Sequence, residues 1–258
     1  MIEINQLYKE FDLSKQQKRE YDTTSNKAVA VDSISFTCQP GRVFSLLGPN
    51  GAGKTTTMRM ISTIFKPTSG TIRIAGIDAV QNPQEARRKI GFLTGSTGLY
   101  ARLTPNEMID YFGKLYGVEK RTLKERKEKL FNLLDMEHFA SKRIGKLSTG
   151  MKQKVSICRT MIHDPEVVVF DEPTSGLDVI TAENIIQLIR DCKAEGKTVI
   201  FSSHIMSEVD LLCDDLAIIH QGKLLFNDSM EAFKASMQAD NLTAEFIRIV
   251  NNSNTHQS

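Results

Sequence analysis

The spacing of apolar residues changes period repeatedly along this chain, and each change marks an element. Met1 to Tyr8 alternates through Ile2, Ile4 and Leu7, and Val29 to Thr37 alternates through Val31, Ile34 and Phe36, which predicts an antiparallel pair of strands. Asp12 to Lys27 between them is polar, has no apolar period and reads as a long solvated hairpin loop. Val43 to Leu47, Thr71 to Ala75, Ile90 to Leu93, Val167 to Phe170 and Thr198 to Ser202 read as further strands. The run from Val167 is continuously apolar, as strands covered on both faces are.

Helical spacing appears at Thr57 to Phe65, through Met58, Ile61, Ile64 and Phe65. Thr104, Pro105 and Glu107 give the cap, first position and box residue of a helix running towards Tyr116 and ending near Gly117. Lys120 to Leu134 is a charged helix with Leu123, Leu130, Leu133 and Leu134 on one side. Val179 to Glu195 turns Ala182, Ile185, Ile186 and Ile189 inward. Leu216 to Ile219 and Lys223 to Phe226 flank Gln221-Gly222 as a hairpin, and Asp228 with Glu231 caps a last helical segment. The pattern therefore predicts an α/β fold: a mostly parallel sheet, an antiparallel β subdomain and a helical subdomain over about residues 96–163. The main domain is expected over 1–227, followed by a short helical tail over 228–258.

Chemistry enters at Gly48 to Thr56, between the Val43 strand and the Thr57 helix. Gly48, Gly53, Lys54 and Thr55 fit the phosphate-loop pattern G-x-x-x-x-G-K-[ST], so the expected fold is a P-loop NTPase core. Across Pro49, Asn50, Gly51, Ala52 and on to Thr56, backbone N–H groups can close around phosphate oxygens, and the following helix aims its positive end at them. Lys54 would reach the outer phosphates of ATP, and Thr55 would offer its hydroxyl to Mg²⁺. Asp171 and Glu172 end the Val167 strand, where open α/β sheets place their ligands. Asp171 would hold Mg²⁺ and Glu172 would polarise the water that attacks the γ-phosphate. His204 ends the Phe201-Ser202-Ser203 strand, from which an imidazole could donate to the γ-phosphate; taken alone, such a histidine is more often structural.

Composition narrows the partners. With 33 basic and 31 acidic residues the formal net charge is +2, which gives no reason to expect nucleic acid or anionic lipid. Cys38, Cys158, Cys192 and Cys213 are far apart and form no C-x-x-C or Cys/His ligand pattern, so they read as reduced core thiols of a cytosolic protein. No signal-peptide core and no run of eighteen apolar residues is present, so a membrane role would come through a partner.

Several segments in order resemble the ATP-binding subunits of ABC transporters. Leu147-Ser148-Thr149-Gly150-Met151-Lys152-Gln153 is similar to the ABC signature, Asp171-Glu172-Pro173 to the Walker B end, Ser175-Gly176-Leu177-Asp178 to the D-loop, and His204 to the switch histidine. The resemblance implies a head-to-tail pair of subunits in which Ser148 and Gly150 of one chain close over ATP held by Lys54 and Thr55 of the other. It also implies an integral membrane permease, docked at a groove built from Ser96 to Tyr116 with Leu99 and Tyr100 as anchors, and a place on the cytoplasmic face of the membrane. The family's adenine-stacking aromatic falls at Phe11, which has a π face but no hydroxyl, with Tyr21 as a second candidate. Thr149 and Met151 depart from the commonest signature, and Gly95 stands where the family's Q-loop has glutamine. Gly98-Leu99-Tyr100, Leu103-Thr104 and Ser202 to Met206 are most similar to bacterial exporter ATPases, including sodium-extrusion and drug-resistance subunits. The competing expectation is a soluble ABC-type ATPase acting on ribosomes or DNA. It fits less well, because only 94 positions separate Lys54 from Ser148, with no long coiled coil between them and one set of motifs. A P-loop kinase would not need the Ser148/Gly150 signature.

Overall fold

A computed structural model describes residues 1–20, 24–94, 98–175 and 178–255. In chain order, β1 (Ile2–Asp12), a short α1 (Lys15–Glu20) and β2 (Lys27–Cys38) precede β3 (Val43–Leu47) and α2 (Lys54–Ile61). Next come β4 (Ser69–Ile74), β5 (Ile77–Asp78), α3 (Pro83–Lys89) and β6 (Ile90–Thr94). Three helices follow, α4 (Pro105–Leu115), α5 (Lys120–Leu133) and α6 (Thr149–Met161), before the chain returns to β7 (Val167–Asp171). It closes with α7 (Val179–Ala194), β8 (Thr198–Ser203), α8 (Met206–Leu212), β9 (Asp215–His220), β10 (Lys223–Ser229), α9 (Met230–Ser236) and α10 (Leu242–Thr255).

Two sheets result. One is four-stranded and antiparallel, in the order β2-β1-β4-β5. The other is six-stranded, in the order β10-β9-β3-β8-β7-β6, and is parallel except for the β9–β10 hairpin. That hairpin turns on Gln221 and Gly222, both at positive φ (47° and 78°), as a two-residue loop matched to strand twist requires.

The continuous apolar runs are explained by what lies on either side of them. Phe44 and Leu46 of β3 join one core with the antiparallel sheet and the α2 residues Met58, Met60 and Ile61, while Val43 and Leu47 face a second core with the helices. β7 splits in the same way, Val167 and Val169 to one side and Val168 and Phe170 to the other. Successive side chains point to opposite faces, so a strand buried on both is mainly apolar, with Ser45 of β3 and the terminal Asp171 of β7 as the buried polar positions. Phe36 of β2 stacks on Phe44 at 4.9 Å, joining the two sheets.

Several expectations need correction. The stretch 12–27 is shorter as a loop than its polarity suggests: β1 runs on through Phe11 and Asp12, paired with Ala28 and Lys27, and α1 occupies part of the rest. Backbone pairing, together with the Glu10–Lys27 ion pair, extends both strands without needing apolar side chains. The α2 helix ends at Ile61, and Ile64 is exposed. On α5, Leu123 and Leu134 are buried but Leu133 is exposed and Phe131 takes the inward place. At 100° per residue Leu133 lies about 80° round the helix from Leu123 in one sense and Phe131 about 80° in the other, so the buried face extends towards Phe131 and away from Leu133. The last helical region is two helices, and α9 is capped by the Ser229 hydroxyl accepting from Ala232 N, not by Asp228. The Thr104–Glu107 capping box forms as expected.

His163, just after α6, carries a stability prediction. Its ring stacks on Tyr116 at 3.9 Å and Nε2 donates to Ile90 O at 3.0 Å. Burial holds its pKa down to about 4, outweighing the hydrogen bond to Ile90, which acts in the opposite direction. Between the ordinary histidine value and about 4 the unfolded chain binds the proton and the folded chain does not, so stability falls as pH is lowered through that window. The loss amounts to roughly 3 kcal/mol at most. Urea midpoints measured at about pH 7 and about pH 5 should differ, and His163→Gln should remove most of the difference.

Candidate nucleotide site

The loop after β3 is shaped by glycines that cannot be replaced freely. A Cβ on Gly48 would lie 2.3 Å from Ile219 O, and one on Gly53, at φ 108°, would lie 2.5 Å from Ala30 O. Gly53 is also the residue from which α2 starts, so the first unpaired N–H groups of that helix open into the loop. Lys54 begins the helix with its side chain 4% exposed. Its ammonium donates to Gly48 O at 2.8 Å and Pro49 O at 3.1 Å, and lies 3.5 Å from Glu172 Oε1. A buried ammonium folded back on the carbonyls of its own loop is held where an anion can take over its hydrogen bonds.

The neighbouring strands bring their C-terminal ends to the same place. Thr55 Oγ1 donates to Asp171 Oδ1 at 3.2 Å, and Ser202 Oγ donates to the same oxygen at 2.8 Å. Asp171 is buried, and no cationic side chain among the described residues pairs with it. A buried carboxylate beside a threonine hydroxyl, both oxygen donors, suits a hard cation such as Mg²⁺.

Glu172 stands apart in its backbone. It adopts φ 48°, a conformation costly for a side chain with a Cβ, and is held there by its N–H donating to Ser202 Oγ at 3.0 Å. Its Oε1 lies 3.5 Å from both Lys54 Nζ and His204 Nδ1. Lys54, Thr55, Asp171, Glu172 and His204, picked out of the sequence separately, therefore converge at the ends of β3, β7 and β8.

Ser148 caps α6 by accepting from Met151 N at 3.2 Å, which fixes the start of the helix at the signature. Gly150 faces the start of α7: an added Cβ would lie 3.2 Å from Thr181 Oγ1 and 3.5 Å from Asp178 Oδ2. Asp178 caps α7 through Thr181 N and Oγ1, which holds its carboxyl below the usual range. Within the chain, neither Ser148 nor Gly150 hydrogen-bonds to the phosphate loop. Beside Asp178, Val179 is 86% and Ile180 76% exposed, an apolar pair left in water. Phe11 sits in β1, its ring edge-on to Phe65 at 5.6 Å and under the Lys9 ammonium at 4.8 Å. Tyr21, Gly95, Ser96, Gly176 and Leu177 lie outside the described residues.

Sequence reasoning missed Ser202, which ties Asp171 to Glu172, because a serine in a buried strand has no pattern of its own. The signal was its place in the register, opposite Asp171.

Residues 31–175 match the ABC transporter family. The chain is 41% identical over 230 residues to the ABC transporter ATP-binding protein NatA of Bacillus subtilis, covering 89% of this chain and 94% of NatA. It is 41% identical over 197 residues to the bacitracin transport ATP-binding protein BcrA of Bacillus licheniformis, spanning 63% of that protein's length. In fold it is similar to the ATP-binding subunit of an ABC transporter, with TM-score 0.83, 24% identity and 96% of this chain covered. One chain of the dimeric, ADP- and phosphate-bound cassette MJ0796 superposes with TM-score 0.76, also at 24% identity, over 89% of this chain and 99% of that one. A phosphate loop, a paired carboxylate and a histidine gathered at one sheet end, in a chain with these relatives, make this protein a member of the ABC transporter family, an ATP-binding protein of that family.

Proposed function

We propose that two copies of this chain pair head to tail around two MgATP, hydrolyse them, and drive a separate membrane permease in a bacterial exporter. The observation that carries the reading is the convergence on Glu172 Oε1 of Lys54 and His204, each at 3.5 Å, beside the Asp171–Thr55 pair.

In this reading Lys54 transfers its hydrogen bonds from Gly48 O and Pro49 O to the outer phosphates, while N–H groups from Gly48 to Thr56 surround them. Thr55 and Asp171 would hold Mg²⁺, which would supply charge neutralisation when bound. Glu172 accepts a proton from water as the water oxygen bonds to the γ-phosphorus and the bond to the β–γ bridging oxygen breaks, leaving ADP and phosphate. His204 donates to the γ-phosphate and loses that partner on hydrolysis. Phe11 stacks on adenine.

Ser148 and Gly150 make no hydrogen bond to their own chain's phosphate loop, which supports their serving the partner's ATP, and the exposed Val179 and Ile180 supply apolar surface for that contact. No helix among the described residues is long and apolar enough to cross a membrane, so the proposed place at the cytoplasmic face is through the permease. Leu99 and the half-exposed Tyr100, whose ring lies 6.1 Å from Tyr111, would receive a permease helix. Relatives named for linearmycin resistance and Nod factor export support an exporter, and the first of these, with one named for bacitracin transport, favours the drug-resistance kind over the sodium-extrusion kind.

Affinity capture of the full chain from its native membranes should bring down one integral membrane protein. Vesicles containing that pair should move an ion or antibiotic with ATP. Capture with ribosomes in place of membrane protein would favour the soluble alternative.

A further inference from the structure

The loops that carry Glu172 and His204 are joined by a carboxylate that has no part in the reading above. Glu208 lies on the first turn of α8. Its Oε1 accepts from Thr174 Oγ1 at 2.5 Å, and its Oε2 accepts from Ser203 Oγ at 3.0 Å. Thr174 follows Glu172 by two residues and Ser203 immediately precedes His204. Both hydroxyl residues are buried, at 8% and 3% exposure, and Ser203 Oγ in turn accepts from Ile205 N at 3.0 Å. No cationic side chain among the described residues pairs with the half-buried Glu208, and these two hydroxyls donate to it. Each of its oxygens is thus committed to a different strand end.

We propose that Glu208 is a positioning residue for hydrolysis, fixing the Glu172 loop against the His204 loop so that the general base and the γ-phosphate donor keep their spacing. The proposal rests on the roles given above to Glu172 and His204. The need for such a tie is physical. Glu172 holds a strained φ of 48°, and its 3.5 Å approach to His204 is looser than a hydrogen bond, so that pair does not lock its own geometry. Ser202 fixes the Glu172 backbone from the β8 side, but its hydroxyl bonds to Glu172 and Asp171 and ties down neither Thr174 nor the residues after Ser203. Glu208 closes the frame on the far side. It touches neither the phosphate loop nor the Asp171–Thr55 pair, so ground-state nucleotide binding should not depend on it.

The test is hydrolysis and binding by the full chain carrying Glu208→Ala, Glu208→Gln, Thr174→Val, or Glu208→Ala with Thr174→Val. Glu208→Ala should lower kcat about tenfold, the scale of a small misplacement of reacting groups, with KM and the affinity for a fluorescent ATP analogue unchanged within about twofold. Glu208→Gln, which keeps one acceptor and offers an amide that either hydroxyl can turn to meet, should recover most of that loss. Thr174→Val should reproduce the drop, and the double variant should fall no further than either single one. A normal kcat in Glu208→Ala, a KM that rises in step with the loss, or single-variant losses that multiply would each overturn the proposal. Should Glu208→Ala fail to fold by circular dichroism, Thr174→Val decides alone, and a normal kcat there overturns it. Glu172→Gln, run alongside, separates the two failures: normal turnover in that variant sinks the general-base assignment itself, whereas loss of turnover there with normal Glu208 variants sinks only the tie.

Discussion

Glu172→Gln should bind ATP as the parent does and turn it over roughly 10²- to 10⁴-fold more slowly, the usual worth of a general base. The substitution preserves shape. The backbone strain at φ 48° and the hydrogen bond from Glu172 N to Ser202 Oγ involve no side-chain carboxylate, so the loop is retained. What disappears is the anionic oxygen that lies 3.5 Å from Lys54 and from His204, and with it the proton acceptor for the attacking water. Binding should not suffer, because removing a negative charge beside a triphosphate lessens repulsion. Phosphate release at saturating ATP measures the first quantity and titration with a fluorescent analogue the second. Parent-like turnover would remove Glu172 from the reaction.

Lys54→Ala should fail one step earlier, at binding. The ammonium is 4% exposed and already desolvated, so its hydrogen bonds to phosphate form without a further burial penalty. Charge-assisted hydrogen bonds contribute about 1.5–3 kcal/mol each, and losing one or two predicts a Kd for ATP weaker by roughly 10- to 10⁴-fold. The same variant leaves Gly48 O and Pro49 O without their donor, so thermal melting without nucleotide should be recorded beside the titration. An unchanged Kd would contradict the role of Lys54.

How far the sequence could be read follows from what each feature depends on. The phosphate loop was legible because its glycines are demanded by backbone contacts, Gly48 against Ile219 O and Gly53 against Ala30 O, which leave no substitute. The β3 and β7 strands were legible because both of their faces are buried, so every position but Ser45 and Asp171 is apolar. The Thr104 helix start was legible because a capping box is local chemistry. Features set by distant parts of the chain were not. The positive φ of Glu172 is enforced by Ser202 from another strand, and Glu208 acquires its role by reaching Thr174 across the sheet end. The extension of β1 past Phe11 depends on pairing with Ala28 and not on any apolar period, and the cap of α9 passed to Ser229 when β10 ran further than its apolar residues indicated.

The central claim is that each pocket is finished by Ser148 and Gly150 of a second copy, and sedimentation of the Glu172→Gln chain addresses it most directly. With ATP and Mg²⁺ this variant should sediment as a dimer, return to monomer when ADP replaces ATP, and stay monomeric with ATP if Ser148→Arg is added. A Glu172→Gln chain that binds ATP yet remains a monomer at every concentration, with its membrane partner present as well as without it, would contradict the account.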